Sequence, residues 1–134
     1  MGTWGVGTFE NDDATDWLEG FGSDGAASLQ TALDAVNGLD ARDYLEAADA
    51  ANALAAAEIV AAARNGDMER IPDEAVQRVR DNAKAIGAAK LISVAHRAVV
   101  RVLKDSELKE QWEDSPDAED WDDNVRELLE RLKG

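Results

Sequence analysis

The chain has 134 residues, 45% of them hydrophobic and 32% charged, with 29 acidic against 14 basic side chains and a net charge of −15. That suits one domain able to bury its own core and does not suit a disordered chain. The absence of cysteine excludes disulfides and thiolate metal sites. The acidity argues against binding to nucleic-acid phosphates or to an anionic membrane surface.

The opening, Gly2-Thr3-Trp4-Gly5-Val6-Gly7-Thr8-Phe9-Glu10-Asn11-Asp12-Asp13, alternates glycines with large apolar side chains. Glycine weakens a regular helix or strand, and exposed aromatics favour aggregation. The segment therefore reads as irregular but ordered, with Trp4, Val6 and Phe9 plugging a core made by the rest of the chain. Asn11, Asp12 and Asp13 can each cap the helix that follows. Ala14, Trp17, Leu18 and Phe21 give that helix its core stripe, and Gly22 is its expected end. Ser23 or Asp24 then caps a second helix carrying Ala26, Leu29, Leu33 and Val36, stopped by Asn37-Gly38.

A third, alanine-rich helix is expected from Ala41 to Arg64, opened by Asp40 and closed by Asn65-Gly66. At about 100° per residue, one of its faces collects Tyr44, Ala47, Ala48, Ala51, Leu54, Ala55, Ile59 and Ala62. Glu58 falls in the middle of that apolar face. Pro72 begins a fourth helix with Val76, Val79 and Ala83, and a break near Gly87 leads into a fifth from Ala88 to Lys104. The fifth has Leu91, Ala95, Ala98, Val99 and Val102 as its stripe, with His96 at the margin. Asp105-Ser106 caps a short helix through Trp112. Ser115-Pro116 starts the last, with Trp121, Val125, Leu128, Leu129 and Leu132 inward. No segment alternates with period two, so the expected fold is all-α: a single compact bundle of roughly six or seven helices spanning 1–134, with residues 1–12 integral to it.

The opening Gly-Thr-Trp-Gly-Val-Gly-Thr-Phe-Glu-Asn-Asp-Asp-Ala…Asp-Trp resembles the start of DUF4259, a family of small, mostly bacterial proteins of unknown function. The resemblance continues through Leu54-Ala55-Ala56-Ala57-Glu58-Ile59-Val60-Ala61-Ala62. It resumes at Ser106-Glu107-Leu108-Lys109-Glu110-Gln111-Trp112-Glu113 and at Trp121…Arg131-Leu132. Gln111 departs from the family pattern, which has leucine there, implying a more exposed short helix. The resemblance supports the fold and carries no activity with it.

Chemistry is sparsely signalled. Gly5-Val6-Gly7-Thr8-Phe9-Glu10 lacks the third glycine and the preceding strand of a dinucleotide loop, and no P-loop lysine is present. The runs Glu10–Asp13 and Glu119–Asp123 lack calcium-loop spacing, and the second lies on a helix whose consecutive side chains diverge. No nucleophile elbow or H-E-x-x-H pair occurs. Two readings follow for Glu58. It is a core glutamate bonded to a tryptophan N–H, to backbone N–H groups of the opening or to the chain's amine, or it pairs with His96, the only histidine, as an acid/base couple in a pocket. Trp4, Glu10 and Trp112 are the ligand-binding candidates, an exposed Trp4/Trp112 pair being the mark of a binding surface.

The expectation is a non-enzymatic interaction or regulatory protein, self-associating or binding a protein partner. No cofactor, metal, nucleic acid or membrane is expected. The alternative is a small hydrolase or ligand-binding protein using Glu58 and His96. No run reaches the ~18 apolar residues of a membrane helix and no charged-then-apolar leader precedes Trp4, which places the protein in the cytoplasm. The 17 Asp against five Lys suggest a salt-rich one.

Overall fold

A computed structural model describes residues 7–133 apart from 25 and 41, and the side chains of 22–26 and 89 are likewise outside the description. Met1 to Val6, including Trp4, therefore lie outside it. Among the described residues there are eight helices and no strand: α1 (Asp12–Asp24), α2 (Ala26–Asn37), α3 (Ala47–Asn65), α4 (Asp73–Asp81), α5 (Ala83–Ile86), α6 (Ala89–Lys104), α7 (Glu107–Glu113) and α8 (Ala118–Leu132). The all-α expectation holds, with one short helix, α5, split off from the expected fourth.

The bundle is built around α3, which touches every other helix. Its residues from Ala50 to Ala62 are buried almost without interruption, Glu58 included. Alanine makes this possible: a methyl side chain lets neighbouring backbones come close, and the few larger groups, Leu54, Ile59 and Val60, fill what remains. Each such aliphatic side chain contributes roughly 1.5–3 kcal/mol by leaving water. Gly66 ends the helix in the left-handed region at φ 72°, where its N–H donates to the Ala62 carbonyl at 2.8 Å. A side chain there would be strained, so glycine is required.

Around this axis the amphipathic helices turn their apolar stripes inward as expected. Leu29, Leu33 and Val36 of α2, Ala95, Ala98, Val99 and Val102 of α6, and Trp121, Val125, Leu128 and Leu132 of α8 are all buried. In α1, Leu18 and Phe21 are buried, and the half-buried Trp17 stacks on Phe21 with ring centroids 5.9 Å apart. Of the three candidate caps of α1, Asn11 does the work: its Oδ1 accepts from the Ala14 N–H at 2.8 Å. Ser106 caps α7 in the same way, accepting from Lys109 N–H at 3.0 Å.

Three boundaries differ from expectation. α1 runs through Gly22 to Asp24, so Ser23 and Asp24 belong to its last turn, and the side chains expected to cap α2 lie outside the description. α8 begins at Ala118, after a turn through Ser115-Pro116. Most significantly, α3 begins at Ala47 and not at Ala41. Tyr44, expected on the buried face, is 57% exposed, and Ala48 is exposed as well.

The cause is tertiary. The Arg101 guanidinium donates to the carbonyls of Asp40 and Asp43, and Glu107 takes the Ala47 N–H at 2.8 Å while its own N–H donates to the Leu45 carbonyl. These bonds satisfy the carbonyls of Asp40, Asp43 and Leu45 and the N–H of Ala47 from outside, so those groups do not depend on helical partners.

Candidate functional site

The segment before α1 folds as a turn, in which Glu10 N–H donates to the Gly7 carbonyl at 3.0 Å and Gly7 N–H donates to Glu10 Oε1 at 2.9 Å. A Cβ on Gly7 would lie 2.4 Å from that oxygen, which is why the carboxylate can close over a glycine. The turn presents Thr8 to the bundle, and its Oγ1 donates to Glu58 Oε2 at 2.9 Å. Phe9, half-buried, packs against the core. The part of the opening segment that is described thus anchors on α3 through one aromatic ring and one hydroxyl.

Glu58 is 1% exposed and its other oxygen, Oε1, accepts from the Arg131 guanidinium of α8, itself 18% exposed. Of the expected partners, Trp4, the first backbone N–H groups and the amine lie outside the described residues; among the described residues the partners are a threonine hydroxyl and an arginine. The arginine was not foreseen, and it has a physical reason: a carboxylate so far from water is stabilised by a full counter-charge. Arg131 is held in turn by its carbonyl, which accepts from Asn65 Nδ2 at 3.3 Å at the end of α3.

Glu58 lines a pocket of about 240 Å³ with Gly7, Thr8, Phe9, Glu10, Arg70 and Asn124. Glu10 therefore does join Glu58, as two candidates of one site. The polar groups of this pocket are largely bonded to one another: Glu58 to Thr8 and Arg131, Glu10 to Gly7, and Arg70 to Asn124 Oδ1 at 2.9 Å and to Glu127 Oε1 at 2.6 Å. Its volume is below the roughly 300–1,000 Å³ of small-molecule sites.

His96 sits elsewhere. It lines a depression of about 650 Å³ with Arg64, Gly87, Ile92, Ser93, Arg97, Leu132 and Lys133. On its other side it lines one of about 550 Å³ with Val100, Arg126, Glu127, Leu129, Glu130 and Lys133. Neither includes Glu58, so the acid/base couple expected from the sequence is not assembled in these pockets. Nothing in the sequence flagged Arg64, Arg97 and Lys133 as a group, because they come from the last turn of α3, the middle of α6 and the residue after α8.

Trp112 is half-buried and shares a shallow depression with Trp121, Lys109, Glu113, Ala118, Glu119 and Asp122. Its proposed companion Trp4 is outside the described residues. The neighbouring Gln111 is exposed, as its departure from the family pattern implied. Among the described residues no three His, Cys, Asp or Glu side chains converge as a metal cage would require, and no helix is long and apolar enough to cross a membrane.

No curated protein and no solved structure matches the chain. Residues 2–124 match the family described as Domain of unknown function (DUF4259), and the chain belongs to that family.

Proposed function

We propose that this is a non-enzymatic interaction protein that pairs with a second copy of itself. The observation that carries the non-catalytic part is the state of Glu58: both its oxygens are already engaged, by Thr8 and Arg131, in a small pocket without His96. A general base must present a lone pair to a substrate proton, and Glu58, at 1% exposure, is shielded from solvent while its charge is balanced by Arg131. The hydrolase alternative, which requires Glu58 and His96 in one cavity, is less well supported by this arrangement.

The pairing surface is the groove between α6 and α8. Its floor is Val100, 40% exposed, with Leu129, and its rim carries Arg126 and Lys133 beside Glu127 and Glu130. The rim charges are paired within the chain, Arg126 with Asp122, Lys133 with Glu130 and Glu127 with Arg70, so the apolar floor supplies the attraction, while a rim bearing both signs is compatible with itself about a two-fold axis. Sedimentation velocity over a range of concentrations tests this. The average mass should rise towards twice that of one chain, and Val100→Glu should hold it at one. A wild-type mass that stays at one chain throughout would sink the pairing.

The setting that accords with net −15 is a salt-rich cytoplasm, where counterions screen the self-repulsion of a surface so dense in aspartate. Thermal melts in low and in molar potassium chloride check this. A melting temperature that does not rise with salt would count against it.

A further inference from the structure

The chain's 14 basic residues are few beside its 29 acidic ones, and several are already engaged within the fold. Arg70 is paired with Glu127, Arg131 with Glu58, Lys109 with Glu113 and Arg126 with Asp122, while Arg101 is spent on backbone carbonyls. The depression of about 650 Å³ between the C-terminal ends of α3 and α8 and the first half of α6 gathers several of the others. It is lined by Arg64, Arg97, Lys133 and the only histidine, and by no Asp or Glu among the described residues. Arg64 is held in position because its Nη1 donates to the Leu132 carbonyl at 3.0 Å. Lys133 is shared with Glu130 at 2.9 Å. Arg97 is exposed and makes no hydrogen bond or ion pair among the described residues.

A hollow whose described lining carries three cations and no acid is unexpected on a chain with twice as many acids as bases. Glu130 offsets Lys133 from the rim, which leaves Arg64 and Arg97 without a carboxylate partner among the described residues. The overall negative charge does not prevent an anion from entering, because at physiological salt charges beyond about 8 Å are largely screened and the local side chains decide. The hollow also has the size of a small-molecule site, and it offers apolar contact through Ile92 and Leu132 beside the polar Ser93.

We propose that this hollow binds a small ligand carrying an oxyanion, a phosphate or carboxylate group received by the Arg97 and Arg64 guanidinium groups. Arginine suits this because its planar fork of N–H donors matches the spacing of two oxygens. His96 and Ser93 lie beside the anion, and Ile92 and Leu132 meet the ligand's apolar part. The proposal does not rest on self-association. One experiment reads a small ion and the other a mass, and either can fail alone.

The single histidine makes the test direct, since His96 gives the only imidazole proton resonances in the spectrum. Inorganic phosphate and, separately, succinate are titrated into the protein at fixed pH in a non-coordinating buffer. Sodium chloride holds the ionic strength constant. The expected result is a saturable displacement of the His96 resonances by at least one of the two, the tighter one identifying the oxyanion class. Arg97→Gln should weaken that binding roughly tenfold. Lys109→Gln, which removes the same charge at a distance, should leave it unchanged. The absence of saturation with both anions, or equal weakening by the two variants, would overturn the proposal. The remainder of the proton spectrum reports whether each variant has kept its fold.

Discussion

Glu58 and Arg64 lie on the same helix, fewer than two turns apart, and they meet opposite conditions. Glu58 sits where α3 is enclosed on every side, and its charge is cancelled by a cation from α8. Arg64 sits where α3 emerges beside α6, half-buried, with its guanidinium propped on a helix end and open space next to it. Depth decides what a charge is for. Where water is excluded, an ionised group must be neutralised on the spot and serves the fold. Where water reaches, the same group can stay unmatched and is available to a ligand.

The sharpest way to break this contrast is Arg131→Met. It leaves the Glu58 carboxylate enclosed without its cation, and we expect a loss of about 3 kcal/mol in urea denaturation, the low end for a broken buried pair because Arg131 itself is partly open. A loss below about 1 kcal/mol would mean that solvent already screens the pair.

Glu58→Gln comes next, at about 1–3 kcal/mol, since the amide can still accept from Thr8 but no longer balances Arg131. Adding Arg131→Met to Glu58→Gln should then cost far less than Arg131→Met alone, and simple additivity of the two losses would show that the residues act independently. Removing the Asn11 cap by Asn11→Ala should cost about 1 kcal/mol, with the melting temperature as readout.

The smallest effect concerns Tyr44, the only tyrosine. Desolvation first, then its hydrogen bond to Glu110 and the charge of Glu107, push its phenol up to about 12. The folded state therefore holds the proton more firmly than the unfolded one, where the group titrates near 10. Whatever stability this adds is complete below pH 10 and is lost as pH rises through about 12. An ultraviolet titration with its midpoint near 10 in the folded protein would show that the Tyr44–Glu110 contact does not form.

The parts of the molecule that the sequence made legible are those governed by local pattern. α2, α6 and α8 announce themselves by stripes of leucine and valine, and Glu58 stands out because it interrupts an otherwise apolar face. The start of α3 was not legible. Residues 41–46 have a helix-compatible composition, and bonds from Arg101 and Glu107, some sixty positions along the chain, help hold the described part, 42–46, in a non-helical course.

Arg131 escaped for a related reason. The stripe of α8 places Leu128 and Leu132 inward, and Arg131 rides on its flank, where a cation is the ordinary expectation. The clue available was that a buried acid needs a buried base, and that the last turn of α8 carried one next to a core leucine. The basic hollow could not be found from spacing at all, because it exists only once the ends of α3 and α8 have met the flank of α6.

The alanine lining of α3 has one last consequence. A methyl group has no torsion by which to turn aside, so thickening almost any position along that helix would push several neighbours outward together. The protein's give must therefore come from its perimeter. A fluorophore, an affinity tag or a cross-linker belongs on the outer helices, where a change disturbs one contact and leaves the axle untouched.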